Sequence, residues 1–304
     1  MSHQLQSQTE LYRFAHHAMA TEFQILIPSL GADEDYLERA CQECFRDLDI
    51  LESELSRYKE GSDISRINSL LEGQSTPVGM AAFDCLGLAK AMYYETEGAF
   101  DITVGPLMEL WRGQGREALR QPSEAELTEI QQRVGSDLFE LSDQANVYEV
   151  SVKKAGVSID LGALGKGYGL DQMARKLEEW QIRSAILSAG ESTIFCLGSP
   201  PATDSLSHDV NSTVGWKMGA GQESVCLCNQ ALSGSGFEVQ GGHIMNTRSG
   251  RPLPIEDRHA WAVAPNAALA DALSTSFLVM RRAEIEELCA KLEGVHAILP
   301  VDPV

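Results

Sequence analysis

The segment Ala267-Ala-Leu-Ala-Asp-Ala-Leu-Ser-Thr-Ser-Phe-Leu-Val-Met280 is apolar nearly all the way round a 3.6-residue helix. A helix with no polar face must be surrounded, so any fold of this chain has to carry it inside. Yet Asp271 stands in its middle. A carboxylate taken into an interior must be paired, protonated or metal-bound, because an isolated buried charge is prohibitively costly. Thr275 follows one helical turn later, so its hydroxyl and the carboxylate face the same way. Two hard oxygen donors with no His or Cys beside them suit Mg²⁺, which takes few protein ligands and completes its shell with water and substrate phosphate. The alternative is structural: Asp271 caps a neighbouring element and Thr275 bonds back to its own helix.

The rest of the chain can bury such a helix. It has 304 residues, 43% hydrophobic and 22% charged, which is ordinary for a globular protein. The expectation is one domain over 11–304, of two closely packed subdomains dividing near 100–160, with 1–10 as a disordered N-terminus. A net charge of −20 argues against a nucleic-acid or anionic-membrane partner, since those attract basic faces. No window approaches the ~20 apolar residues of a membrane span, and the first residues carry no secretory signal. Seven scattered cysteines suit a reducing compartment, so the expected location is the cytoplasm.

Strand and helix signals come in clusters rather than strict alternation, which predicts an α+β fold with a mostly antiparallel sheet flanked by helices. Two strands over 11–28 turn near Ala18–Ala20, with Phe23, Ile25 and Ile27 on one face. A helix over 33–57 buries the stripe Leu37, Cys41, Cys44, Leu48, Leu51 and Leu55. The same stripe explains Cys41-x-x-Cys44 as a core pair rather than a metal or redox pair. Ser62 caps a short helix through Asn68, and another runs from Met80 to Glu95. Ser123 and Glu126 form a capping box for a helix that Gly135 closes. Strand-like alternation fills 137–161, with turns near 142–146 and 154–156, and residues 198–214 read as an exposed loop. Further helices are expected at 167–180, 266–280 and 283–292. Strands are expected through Ile186 and at 226–232, 259–264 and 295–299.

Three more segments carry chemistry. In Val157-Ser-Ile-Asp-Leu-Gly-Ala-Leu-Gly-Lys-Gly-Tyr-Gly169, an apolar run bearing Asp160 enters a glycine-rich turn and a helix start, where free N–H groups favour an anion. Lys166 is a lone cation among those glycines. The spacing is neither a Walker A loop nor a dinucleotide fingerprint, and a plain tight turn reads equally well. In Gly98-Ala-Phe-Asp-Ile-Thr-Val104, Asp101 interrupts a strand-like run. In Ser233-Gly-Ser-Gly236 through Gly250, His243 stands beside glycines, hydroxyls and Arg248, as a general base or as a structural histidine.

Taken in order, these segments resemble the FAD:protein FMN transferases, the ApbE-type flavin transferases, over roughly residues 14–280. The matching pieces are Ala18–Thr21, Leu55–Asn68, Gly98–Pro106, Ile159–Tyr168, His243–Gly250 and Ala270–Thr275. The resemblance implies the ApbE-like fold and an enzyme that passes FMN from FAD to a Ser or Thr hydroxyl of an acceptor protein, releasing AMP. Met19, Tyr58, Ala99, Phe100, Asp101, Asp160, Lys166 and Ile244 then match positions that contact FAD. Asp271 and Thr275 match the Mg²⁺ ligands. Ala163 matches a position lending its backbone carbonyl, with the carbonyl near Ala268 as a further candidate. His243 matches the catalytic histidine, taking the proton from the attacking hydroxyl. The rival outcomes are an FAD pyrophosphatase, with water as acceptor, and a flavin-binding protein without turnover. The chain departs from the family's pattern at Asn246-Thr247, where Asp-Pro is usual, at Ser188–Ser192, in the short stretch before His243, and at Ala20, where glycine is usual.

Overall fold

The computed structural model describes residues 10–29, 31, 33–112, 120–145, 147–201, 215–221, 223–236, 244–254 and 259–300. The expectations for residues 1–9, for most of the 198–214 loop, for Asn146 and for His243 lie outside them.

The chain opens with β1 (Leu11–Ala18) and β2 (Thr21–Pro28), paired antiparallel from Leu11↔Pro28 to Ala18↔Thr21. Alternation puts Phe23, Ile25 and Ile27 into the core. Helix α1 (Glu34–Leu55) is capped by the Asp33 carboxylate, and its buried face is the Leu37-to-Leu55 stripe with Ala40 added. The short α2 (Asp63–Asn68) is capped by Ser62, β3 spans Ser75–Pro77, and α3 spans Met80–Glu95. Helices α4 (Gly105–Trp111) and α5 (Glu124–Gln131) follow, the second with its Ser123–Glu126 capping box. Strands β4 (Phe139–Gln144) and β5 (Val147–Val152) join β3 in a small antiparallel sheet of order β3-β5-β4.

Helix α6 (Gly165–Glu179) leads into β6 (Ala185–Ala189) and β7 (Thr193–Leu197). A hairpin, β8 (Trp216–Ala220) and β9 (Glu223–Leu227), precedes β10 (Gln230–Gly236). The two-residue strands β11 (Met245–Asn246) and β12 (Arg251–Pro252) pair with each other. Then come β13 (His259–Ala264), α7 (Ala267–Phe277), α8 (Arg282–Lys291) and β14 (His296–Ile298).

The main sheet has the order β1-β2-β6-β7-β10-β13-β14, antiparallel at every pairing. Its two faces differ. One bears Ala231, Ala260, Ala262 and Ala264 and joins the large core formed with the helices, where α6 and α7 pack on the strands. The other bears Cys196, Leu232 and Val263 and is covered by Trp216, Ala220 and Leu227 of the hairpin. Small residues on the first face let α7 approach closely, so the apolar helix is interior as its composition requires. Asp271 goes in with it, 2% exposed.

The differences from the sequence reading are local. Residues 157–161 form no sheet strand: Ser158 and Asp160 bond the backbone of Gly105 and Ile102, but between them the Asn68 side chain takes both the Ile159 N–H (2.7 Å) and its C=O (3.0 Å). Residues 98–104 are bends and turns, since Asp101 bonds the Thr103 N–H two residues on. The expected strand at 226–232 is two strands, β9 and β10, broken at Cys228 and Asn229, the latter at φ 51°. The strand through Ile186 runs on to Ala189. Helix α5 stops at Gln131, four residues before Gly135.

Candidate functional site

Asp271 is enclosed by hydroxyls. Its Oδ1 accepts from Thr193 Oγ1 at 2.9 Å and from Ser233 Oγ at 3.1 Å. Both donors follow from strand register: Thr193 of β7 lies directly opposite Ser233 of β10, on the face turned to α7. Oδ2 accepts the Gly167 N–H at 3.3 Å and lies 3.9 Å from Lys166 Nζ. Gly167 is required here, because a Cβ would stand 2.2 Å from the Ala267 carbonyl oxygen. The close crossing of α6 and α7 is what brings a helix-start N–H and a lysine to the carboxylate. Thr275 Oγ1 donates to the Asp271 carbonyl at 3.2 Å and lies 3.3 Å from Ser235 Oγ. Both halves of the structural alternative therefore have a counterpart: Thr275 does back-bond, and Asp271 does hold the start of α6.

Lys166 Nζ also donates to the Gly162 carbonyl at 3.0 Å, across the turn that Asp160 closes by accepting the Gly162 N–H at 2.8 Å. The other Asp160 oxygen takes Arg57 at 3.0 Å, and Arg57 reaches Glu109 at 3.2 Å. Two cavities meet at this turn. One, of about 450 Å³, is walled by Ala99, Phe100, Asp101, Ala163, Ile244 and Thr275. The other, of about 370 Å³, is walled by Met19, Glu52, Arg57, Tyr58 and Lys59. Asp160, Gly162 and Lys166 line both. The structure thus brings Met19, Tyr58, Ala99, Phe100, Asp101, Asp160, Ala163, Lys166, Ile244 and Thr275 to the walls of these two cavities, with Asp271 just behind Lys166; Ala268 and Arg248 lie elsewhere, and His243 is not described.

Individual residues show how the walls are made. Met19 and Ala20 form the β1–β2 turn, at φ 49° and 61°, and the Met19 N–H is pinned to Glu52 Oε1 at 2.9 Å. Lys59 at 2.6 Å is the main cause of a lowered Glu52 pKa, against the pull of burial. Tyr58 is 78% exposed, a free ring at the mouth of the second cavity, with the Arg57 guanidinium 5.5 Å from its centre. Asp101 Oδ1 accepts from the Thr103 N–H, Thr103 Oγ1 and Ser136 Oγ at 2.7–2.9 Å. Burial nevertheless pushes the Asp101 carboxyl up, only partly offset by those bonds. Asn246 Oδ1 accepts the Ser249 N–H at 3.1 Å, a turn-closing role that an amide oxygen fills as well as a carboxylate. Arg248 does not face the cavity chemistry: it donates to the Thr96 and Glu97 carbonyls and to Glu284. Ala268 gives its N–H to Asp171 and lines a separate cavity. Asp171, accepting at the start of α7, is pushed up to about 6 chiefly by burial, and also by the nearby Asp271 charge.

Sequence reasoning missed Arg57, Thr193, Ser233, Ser235 and Ser274. The alternation Ser233-Gly-Ser235 could have flagged two of them as one face of a strand, and Ser274 is one turn from Asp271. Thr193 had no such signal.

The donor set at Asp271 and Thr275 fits a hard cation. Among the described residues there is no group of three or more His, Cys, Asp or Glu placed to hold a metal. One carboxylate, one hydroxyl and the backbone at Ala163 would be a poor cage for zinc or calcium. They suit a cation that keeps waters and shares phosphate oxygens.

Residues 19–299 match the ApbE family. The FAD:protein FMN transferase of Haemophilus influenzae is 27% identical over 98% of this chain and 89% of its own. That of Escherichia coli K12 is 25% identical over 94% of this chain and 83% of its own. Among solved structures, the flavin transferase ApbE from Vibrio cholerae superposes with TM-score 0.76 at 24% identity, covering 97% of this chain and 94% of that one. The apo flavinyl transferase ApbE of Pseudomonas stutzeri gives 0.79 at 21% identity, covering 97% and 92%. With the family matched over residues 19–299 of its 304, this chain belongs to the ApbE family.

Proposed function

We propose that this protein is an FAD:protein FMN transferase, which breaks the FAD pyrophosphate and passes FMN to a Ser or Thr hydroxyl of an acceptor protein, releasing AMP. The observation that carries this reading is the junction of two cavities at Asp160, Gly162 and Lys166, directly in front of the buried Asp271. A dinucleotide has two bulky halves joined by a diphosphate, and this site has two compartments joined by a lysine and a glycine turn.

Asp271 and Thr275, with the Ala163 carbonyl, would hold Mg²⁺, which supplies positive charge to the pyrophosphate so that AMP can leave. Lys166 adds a fixed charge at the same place. Held by one backbone carbonyl and a longer contact to Asp271, it can turn to a phosphate without breaking the fold. Tyr58 offers its exposed face to a flavin or adenine ring. Met19, Ala99, Phe100 and Ile244 give apolar wall, and Asp101 and Asp160 give acceptors for ring or ribose donors. His243 is assigned the proton of the attacking hydroxyl on the strength of family resemblance alone. Cys41, Cys44, Cys85 and Cys196 are buried thiols outside any disulfide, and with them we place the protein in the cytoplasm. Among the described residues no helix is long and apolar enough to cross a membrane.

The test is incubation with FAD and Mg²⁺, with and without an acceptor domain of the family's kind, following AMP by chromatography and the acceptor by intact mass. AMP with an FMN-shifted acceptor is expected, and Asp271→Ala should abolish both while the chain remains folded. Undiminished turnover in that variant would remove the metal assignment. AMP from the parent with an unmodified acceptor would make the protein a pyrophosphatase.

A further inference from the structure

The Asp271 and Thr275 side chains are joined by a buried line of hydroxyls. Thr275 Oγ1 lies 3.3 Å from Ser235 Oγ, and Ser235 Oγ lies 2.9 Å from Ser274 Oγ. Ser274 Oγ lies 3.2 Å from Ser233 Oγ, which lies 3.1 Å from Asp271 Oδ1. Thr193 Oγ1 reaches the same oxygen at 2.9 Å. Thr193, Ser233, Ser235 and Ser274 are all buried. Size does not demand them: β13 presents Ala260, Ala262 and Ala264 to the same core, and alanine would fill the seam without polar atoms to satisfy.

Proton counting constrains the direction of this line. A hydroxyl has one proton and two lone pairs, and an ionised carboxylate only accepts. Thr193 and Ser233 both direct their protons to Asp271 Oδ1, so their mutual contact of 3.1 Å carries none. Ser274 directs its one proton to Ser233 at 3.2 Å or to the Asp271 carbonyl at 3.1 Å, and on either choice it is left to accept from Ser235. Thr275 must donate inward, to Ser235 or to the Asp271 carbonyl, which leaves a lone pair for the cavity it lines. Saturated by two hydroxyls, Oδ1 leaves Oδ2, on the Lys166 side, as the ligating oxygen.

We propose that Thr193, Ser233, Ser235 and Ser274 are positioning residues for a divalent cation at Asp271 and Thr275, a proton-ordered hydroxyl line that aims one carboxylate oxygen and one hydroxyl lone pair at it. This rests on the metal reading given under Proposed function. Outer partners of this kind change metal affinity by about 10–100-fold when lost. Each arm has its own probe: Thr193→Val removes a donor to Asp271 while keeping the shape, and Ser235→Ala breaks the link to Thr275.

The full-length chain is titrated with Mn²⁺ in the presence of FAD and without acceptor, free Mn²⁺ being read by electron paramagnetic resonance and corrected for FAD alone. Mg²⁺ competition checks the site. Both variants should bind about tenfold or more weakly, and Thr193→Ser should regain parental affinity. Melting temperature in chelator, which a merely structural role would govern, should not track the affinities. Variants that bind Mn²⁺ within twofold of the parent overturn the proposal and leave the metal site standing. A parent that binds neither Mn²⁺ nor Mg²⁺ overturns the metal reading, and this proposal with it. If Thr193→Val gives no cooperative melt, Ser235→Ala decides alone.

Discussion

Ala20 occupies the left-handed region at φ 61°, directly after Met19 at φ 49°. Such two-residue hairpin turns favour glycine, and a side chain there costs about 1–2 kcal/mol. Glycine recovers that strain but adds unfolded-state freedom worth about 0.4–1 kcal/mol. Ala20→Gly should therefore stabilise the chain by about 0.5–1 kcal/mol, seen as a higher urea midpoint at unchanged slope; a lower midpoint would mean the Ala20 methyl packs usefully against the cavity wall. Gly167 has the opposite character. Its hydrogen stands where a methyl would meet the Ala267 carbonyl at 2.2 Å, so Gly167→Ala must spread α6 from α7. A loss of about 2–3 kcal/mol follows, and with it the N–H that reaches Asp271. Unaltered stability in a denaturant melt would show that the crossing is looser than its geometry implies. The sequence places Ala20 at a turn and Gly167 at a helix start, because Ala18–Thr21 and the glycine run are local signals. It leaves Gly167 open between an anion and a plain tight turn, whereas the steric demand comes from a helix a hundred residues away.

Elements show the same divide between local and long-range causes. Helices α1 and α7 were legible from periodicity and from apolar composition, which neighbours in sequence determine. Strands β7 and β8 were not, being five residues each and framed by polar segments, and β9 was legible only at its last two residues. Residues 157–161 look like a strand, but their backbone bonds are divided among the Ile102 carbonyl, the Gly105 N–H and, at Ile159, the Asn68 side chain, which builds no ladder. One contact between elements has a pH signature. Glu284, at the start of α8, accepts the Arg281 N–H at 2.8 Å, the Arg281 guanidinium at 2.8 Å and Arg248 at 3.0 Å. The Arg281 backbone N–H is the largest influence, the Arg281 side chain next, and together with Arg248 they hold the carboxyl at about 2, below its ordinary 4.5. Arg248 in turn grips the Thr96 and Glu97 carbonyls beyond the end of α3. A depressed pKa means stability that is present above about 4.5 and lost as pH falls toward about 2. Glu284→Gln should lower stability by about 1 kcal/mol at neutral pH, a modest figure because water reaches the pair. That gap should close as the titration proceeds downward. Urea melts at pH 7, 4 and 2.5 check it, and a gap undiminished at the lowest pH would show that the glutamate charge is not its source.

At the scale of the molecule, the site was legible as residue types in order and illegible as a place. Met19, Asp160 and Thr275 span most of the 304 residues, and only the sheet order and the crossing of α6 with α7 bring them to one turn. The hydroxyls on Asp271 depend on cross-strand register, which no single segment encodes. Net charge, by contrast, is read directly from composition, and it has a kinetic consequence. The chain carries −20, while the proposed substrate carries an anionic diphosphate. Lys166, Arg57 and Lys59 sit at the cavities, but Arg57 and Lys59 are already matched by Asp160, Glu109 and Glu52. Their pull is short-ranged and the repulsion of the whole surface is not. At about 0.01 M salt the screening length is about 30 Å, so an approaching FAD meets the field of the entire molecule; at about 0.1 M it shrinks to about 10 Å and the local cations take over. The association rate of FAD, followed by flavin fluorescence in a stopped flow without divalent cation, should therefore rise about two- to fivefold across that range. A rate that falls with salt would show that the cationic turn governs even the distant approach, and that the acidic surface lies turned away from the path by which FAD enters.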